Sequence, residues 1–254
     1  MAVYVGSARI DEHGQAHGGM AGDQTGGEVA TQRWYLHTQG SWRVFRVREK
    51  DRAEMIARCM QAACDNPHIG YDQYQRDTLY NTARLVGFDC SLVDKDVETD
   101  CSALVRVCCA YAAIDTGNFR TYNEPQALMK TGHFYEMVGA KYQKRPDYLR
   151  RGDILVTPSS GHTVVVLSDG KYADSEDDIQ EEMDEMDTLK QGSKGPQVRT
   201  LQRLLNAICG EKLDVDGDFG PATRIAVAAY QTTRELEIDG VCGPMTWKRL
   251  LKGE

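Results

Sequence analysis

The stretch at 175–187, SEDDIQEEMDEMD, carries eight acidic residues and no basic ones. No core absorbs that many carboxylates, because an ionised group taken out of water without a partner costs far more than its methylenes gain. The run therefore reads as a solvated linker that divides the 254-residue chain. Upstream of it, strand and helix periods alternate; downstream the patterning is almost wholly helical. The expected organisation is a first domain at 1–174, an acidic linker at 175–188 and a second domain at 189–254.

The same run accounts for the net charge of −8. Subtracting its eight acids from the chain's 38 leaves 30 against 30 Lys and Arg. Without a basic excess there is no electrostatic footprint for nucleic acid. No apolar stretch approaches the roughly 20 residues that cross a bilayer, so no membrane insertion is expected. The N-terminus, MAVYVGSARIDEHG, lacks the basic flank and apolar core of a secretory signal, which predicts a protein made in the cytoplasm. The eight cysteines form no C-x-x-C pair and no Cys/His cluster with zinc spacing. They read mostly as buried free thiols, with neither metal nor cofactor expected.

In the first domain the glycine-rich segment at 18–27, GGMAGDQTGG, lacks the Lys-Ser/Thr ending of a phosphate loop. It suits a loop that brings backbone close to another surface. SWRVFRV at 41–47 has the alternation of a strand. Asp51, with Glu54 three residues later, predicts a helix start with a capping box, and Ala53, Ile56, Met60 and Ala63 form its apolar face.

One tripeptide occurs twice, as Asp89-Cys90-Ser91 and Asp100-Cys101-Ser102. After Cys101, Ala103, Leu104, Val107, Cys108 and Tyr111 share a helical face, with Asp100 as the N-cap. That places Cys101 in the first turn, where free amides and the helix dipole favour a thiolate and lower its pKa. After Cys90 the sequence is short, acidic and non-periodic, which predicts a loop whose carboxylates raise the thiol's pKa. Two roles stay open for Cys101: nucleophile, or small buried residue at a helix start. A nucleophilic thiol needs a base. His13, His17, His37 and His68 lie in polar, loop-like sequence, and His133 sits beside a glycine. His162 stands at the mouth of an apolar strand, HTVVVLSDG, after a strand-and-turn segment, RRGDILVTPSSG, and is the candidate base.

DCSALVRVCC, RRGDILVT and GHTVVVLSDG together resemble the NlpC/P60 cysteine peptidases, relatives of the CHAP amidases, over about residues 66–174. The resemblance implies a papain-like α+β fold and a Cys101/His162 pair in a cell-wall hydrolase. It also implies a tyrosine bordering the site, for which Tyr71 is best placed, and contributions from Asp100 and Ser102. The family's third polar position falls on Asp174, where His, Asn or Gln is more usual; Asp169 is the fallback. AGDQTGGEV and RWYLH resemble an N-terminal extension of phage-type members. Asp23, Gln24, Trp34 and Tyr35 are then either groove-lining residues or turn and core residues.

The second domain repeats itself: VDGDFGPATRIAVAAYQ from Val215 and IDGVCGPMTWKRLL from Ile238 both read apolar-Asp-Gly-x-x-Gly-Pro-x-Thr before a helix. Pro221 and Pro244 suit helix entry. A helix ahead of them carries Val198, Leu201, Leu204, Leu205 and Ile208 on one face. Calcium is not expected in the Asp214–Asp216–Asp218 loop, since Phe219 and Ile225 occupy positions needing glycine and glutamate. The repeat resembles the type 1 peptidoglycan-binding domain, a small three-helix module. That implies a shallow wall-binding groove to which Asp216, Phe219, Tyr230, Asp239 and Trp247 contribute, unless the rings are core. Both resemblances imply one partner, bacterial peptidoglycan. The expected function is an endolysin-like stem-peptide hydrolase acting on the cell wall, a γ-D-glutamyl–diamino-acid endopeptidase. The alternatives are an N-acetylmuramoyl-L-alanine amidase or a non-catalytic wall-binding phage structural protein.

Overall fold

The computed structural model describes residues 2–159, 161–173 and 186–251. The chain divides into two compact units, Met1–Ala173 and Asp174–Glu254. Among the described residues no helix is long and apolar enough to cross a membrane.

The first unit is a mixed α/β unit built on six antiparallel strands in the order β2-β1-β8-β7-β3-β6. They are β1 (Tyr4–Ala8), β2 (Val29–Arg33), β3 (Arg43–Val47), β6 (Phe134–Met137), β7 (Ile154–Val156) and β8 (Thr163–Val166). A separate parallel pair joins β4 (Ile69–Tyr71) to β5 (Val97–Thr99). Side-chain alternation gives the large sheet two apolar faces. Phe45, Val47, Ile154, Val156 and Val165 pack with Ile56, Met60, Leu104 and Cys108, from helices α1 (Lys50–Asp65) and α3 (Cys101–Tyr111). Val44, Leu155, Val164 and Val166 face Trp42, Tyr148 and Tyr142, the last from the short helix α5 (Ala140–Gln143). Helices α2 (Thr78–Ala83) and α4 (Glu124–Lys130) complete the unit.

The helix expected from the spacing of Ile56, Met60 and Ala63 is α1, and these three are buried. Its start differs from the expected capping box. Glu49 is the N-cap, without a side-chain cap bond, and Asp51 lies inside the first turn. Glu54 instead bonds Arg151, with Nε to Oε2 at 2.7 Å, because a charge-assisted bond to guanidinium outcompetes one to a neutral amide. The turn before β7 packs on α1 so closely that a Cβ on Gly152 would lie 2.4 Å from the Ala53 carbonyl oxygen, and its φ of +92° also calls for glycine. The next residue, Asp153, is buried and receives both Nε and Nη2 of Arg46, at 2.9 and 2.8 Å.

The second unit holds helices α6 (Pro196–Cys209), α7 (Pro221–Thr233) and α8 (Pro244–Leu251), each opening on proline. Proline fits the first helical position, whose N–H has no intrahelical partner. The sequence repeat is a repeat of hydrogen bonds. Gln202 of α6 accepts from Gly217 N at 3.0 Å and donates to Asp216 Oδ1 at 2.8 Å, the Asp218 carbonyl and Thr223 Oγ1. Gln231 of α7 accepts from Gly240 N at 2.9 Å and donates to Asp239 Oδ1 at 2.9 Å, the Val241 carbonyl and Thr246 Oγ1. One buried amide thus locks each Asp-Gly turn to the helix before it and the threonine after it. Both amides are fully satisfied, which burial demands.

Candidate active site

Strand β5 runs into Asp100, and α3 begins at Cys101. Asp100 Oδ1 accepts the Ala103 amide at 2.7 Å and the Ser102 hydroxyl at 2.8 Å. The buried guanidinium of Arg76 bonds both Asp100 oxygens, Ser102 Oγ at 2.9 Å and the Phe119 carbonyl at 2.8 Å. Asp100 and Ser102, expected to touch substrate, therefore spend their hydrogen bonds on fixing the helix start. Nothing in the local sequence singled out Arg76, whose role exists only through its distant partners.

Cys101 is buried at the start of α3, which packs against β8, and the backbone of Thr163 and Ser102 pulls its thiol pKa down. Thr163 directly follows His162, so the start of β8 brings the two expected catalytic residues into one neighbourhood. Thr163 Oγ1 donates to Glu124 Oε1 at 2.8 Å, while Glu124 Oε2 is buried without a partner. Burial pushes the Glu124 carboxyl well above the usual range. The predicted lowering of the Cys101 pKa is overturned. Burial first, then the Asp100 and Glu124 carboxyls, push the thiol up to about 12 against the pull of the two amides.

His162 sits just before β8, its amide bonded to Thr157 Oγ1 at 3.0 Å and its carbonyl to the Thr157 amide at 3.0 Å. Its ring lies 6.5 Å from Trp42, which packs 5.3 Å from His37 and 5.5 Å from Tyr35. Burial, with the charges of His37 and Arg9, lowers His162 to about 4. The resting pair is a neutral thiol and a neutral imidazole. His37, set aside in the sequence as a loop residue, thus joins the site's aromatic wall through long-range packing.

The repeated phrase has two outcomes. Cys90 starts a single 3-10 turn, Cys90–Leu92, rather than an open loop, and Asp89 caps it by accepting the Ser91 amide at 3.0 Å. Its sulfur is fully buried, 3.5 Å from that of Cys59. The Cys90 thiol is pushed well up, chiefly by its hydrogen bond with Cys59 and by burial, with Asp89 a lesser cause.

Tyr71 is buried and accepts at its hydroxyl from Gln73 Nε2 at 3.1 Å, and burial pushes its pKa up to about 12. Asp23 Oδ1 gathers the amides of Thr25, Gly26 and Gly27, and Gln24 bonds Glu28 and the Ala21 carbonyl. Both shape the glycine-rich loop. Trp34 packs half-buried against the second core face, and the Tyr35 hydroxyl feels both Arg9 and Cys101. Asp174 lies outside the described residues. Asp169 accepts the Arg151 amide at 2.8 Å and so holds the turn before β7. Beside Tyr71, Glu98 of β5 is buried with neither carboxylate oxygen hydrogen-bonded; burial and the neighbouring Glu28, Asp72, Glu12 and Asp11 raise it to about 8. Among the described residues no group of three or more His, Cys, Asp or Glu is placed to hold a metal ion.

In the second unit the expected wall contacts divide. Phe219, Tyr230 and Trp247 are core: each ring is at most 1% exposed and has no surface to offer a polymer. Asp216 and Asp239 cap the two glutamine-locked turns, accepting the amides of Asp218 and Val241 at 2.8 Å.

A family model described as "Endolysin-like domain" matches residues 5–173. The chain belongs to that family. A second model, described as "Putative peptidoglycan binding domain", matches residues 194–250. An uncharacterized protein in the bpoA1 3' region of Kitasatospora aureofaciens is 44% identical over 63 residues, covering 24% of this chain and 53% of that protein. The zinc D-Ala-D-Ala carboxypeptidase of Streptomyces albus G is 42% identical over 65 residues, covering 25% of this chain and 26% of that enzyme. This chain thus spans about half and a quarter of the two curated relatives. The crystal structure of a Burkholderia AP3 phage endolysin matches at 46% identity over 27% of this chain and 26% of that one, with a TM-score of 0.26.

Proposed function

We propose that this endolysin-like chain is a peptidoglycan hydrolase of papain-like type that cuts the stem peptide with Cys101 as nucleophile and His162 as base. The observation that carries the reading is that α3, opened by the buried Cys101, packs against β8, whose mouth carries His162. With both partners neutral at rest, the thiol is activated as it attacks. His162 takes the proton while sulfur adds to the peptide carbonyl carbon. Amides at the start of α3 stabilise the resulting oxyanion. The C–N bond then breaks, the imidazolium proton passes to the leaving amine, and a thioester remains. Water, deprotonated by His162, releases the acid and restores the thiol. The bond proposed is the γ-D-glutamyl–diamino-acid link, and the second unit supplies the hold on the insoluble polymer, which raises the local concentration of the site.

The test is digestion of purified peptidoglycan by the wild type, Cys101→Ala and Cys90→Ala, with products identified by mass spectrometry. Loss of cleavage in Cys101→Ala alone, with new diamino-acid amino termini in the wild-type digest, is the expected result. Release of free muramoyl lactyl groups and L-alanine amino termini would instead mark an amidase. No release from several wall types would sink the hydrolase reading and leave a binding role.

A further inference from the structure

Arg9 follows β1, and its backbone is fixed by its own amide bonding the Glu28 carbonyl at 2.8 Å. Strand β1 pairs with β8 so that Val5 faces Val166 and Gly6 faces Val165. Because the two strands are antiparallel neighbours, Arg9, just past the end of β1, and His162, just before β8, stand at the same end of the pair. The side chain is half-buried, and its Nε is sealed from solvent with no hydrogen-bond partner. Among the described residues it forms no ion pair. Its charge helps to lower the His162 pKa and opposes the rise of the Tyr35 pKa.

Such a cation is doubly unfavourable in the empty site. A sealed N–H left without an acceptor is unfavourable. A positive charge beside His162 also opposes the imidazolium that the reaction must form. A carboxylate arriving with the substrate at the solvent-reachable side of the guanidinium relieves the second: it pairs with the charge and cancels it just when His162 must accept a proton. We infer that Arg9 is a substrate-binding residue that receives a free carboxylate of the stem peptide next to the bond being cut. This inference rests on the hydrolase reading and deepens it, because it makes the chain selective for acidic over amidated stem peptides.

The test uses two synthetic stem peptides that differ only at the γ-linked glutamate, one with a free α-carboxylate and one with its primary amide. The full chain should cleave the acid with kcat/KM higher by about tenfold or more, as expected where a site is built to bond a group that the competitor lacks. In Arg9→Gln the acid-to-amide ratio should fall towards one, mainly through a raised KM for the acid, and Arg9→Lys should retain part of the preference. Calorimetric binding of both peptides to Cys101→Ala gives the same comparison without turnover. Melting curves establish that each variant is folded, and the ratio in Arg9→Lys serves if Arg9→Gln is not. Cleavage without discrimination by the wild type, or an unchanged ratio in the Arg9 variants, would overturn the role of Arg9 and leave the hydrolase reading standing. Absence of cleavage of either peptide and of whole peptidoglycan overturns both.

Discussion

Asp89-Cys90-Ser91 and Asp100-Cys101-Ser102 share a tripeptide and share its local effect: each aspartate caps the turn that its cysteine begins. Their surroundings differ. The first turn ends after three residues, and its sulfur packs against Cys59 inside the core. The second continues into the eleven-residue helix α3, which packs on β8, the strand whose mouth carries His162. A side chain's chemistry is set by what the fold brings to it from far away, and the same three letters yield a packing unit in one place and a candidate nucleophile in the other.

Exchanging the roles experimentally tests that contrast. Cys101→Ala should lower kcat on peptidoglycan by about 10⁴-fold or more, as removal of a nucleophile does elsewhere, with an unchanged circular dichroism spectrum. Comparable loss in Cys90→Ala, measured in the same digest, would break the comparison. Arg76→Met leaves the buried Asp100 carboxylate unpaired, which should cost about 3–5 kcal/mol in denaturant melts. The 89–91 turn has no such anchor, so Asp89→Ala should cost only about 1 kcal/mol, the worth of an ordinary cap.

The acid side of the pH–rate profile is the next sharpest test. With His162 as the proposed base and its folded pKa about 4, activity should fall about tenfold per pH unit below 4 and hold level from about 5 to neutrality. A limb near 6.5 would place an exposed histidine in the role. His162 also shapes stability. Between about 4 and its ordinary 6.5 the unfolded chain binds a proton that the folded one refuses, so this group makes stability rise with pH across that interval.

Glu98, two residues before the second phrase, works in the opposite direction. Its folded pKa of about 8 lies above the ordinary 4.5, so the folded chain holds the proton, and stability from this group is lost as pH rises through about 8. Glu98→Gln should therefore raise the melting temperature more at pH 8.5 than at pH 5. Cys90→Ala should cost about 1–2 kcal/mol from lost packing, with kcat unchanged.

Much of this architecture was legible locally. Strand β3, helix α1, the capped start of α3 and the proline-opened helices of the second unit all follow from periodicity and caps within a few residues of one another. The first turn of α1 was misread because Glu54 finds Arg151, 97 positions away, in place of its own helix end. Arg76, His37 and the thiol's raised pKa were invisible for the same reason. The aromatic residues of the second unit show the converse: a ring in a repeat motif carries no label saying core or surface, and burial settles Phe219, Tyr230 and Trp247 as core. The repeated Asp-Gly turns were legible, but the glutamines that lock them were not, since Gln202 and Gln231 precede the repeat unit they serve.

The neutral resting state of Cys101 also bears on durability. Peroxide and oxygen-derived oxidants attack the thiolate, not the thiol, and convert it stepwise to acids that no longer act as nucleophiles. A sulfur that ionises only when its proton is taken during attack gives such oxidants almost nothing to react with. In the role proposed for it, Cys101 would stay protonated until the moment of attack, the form that such oxidants touch least.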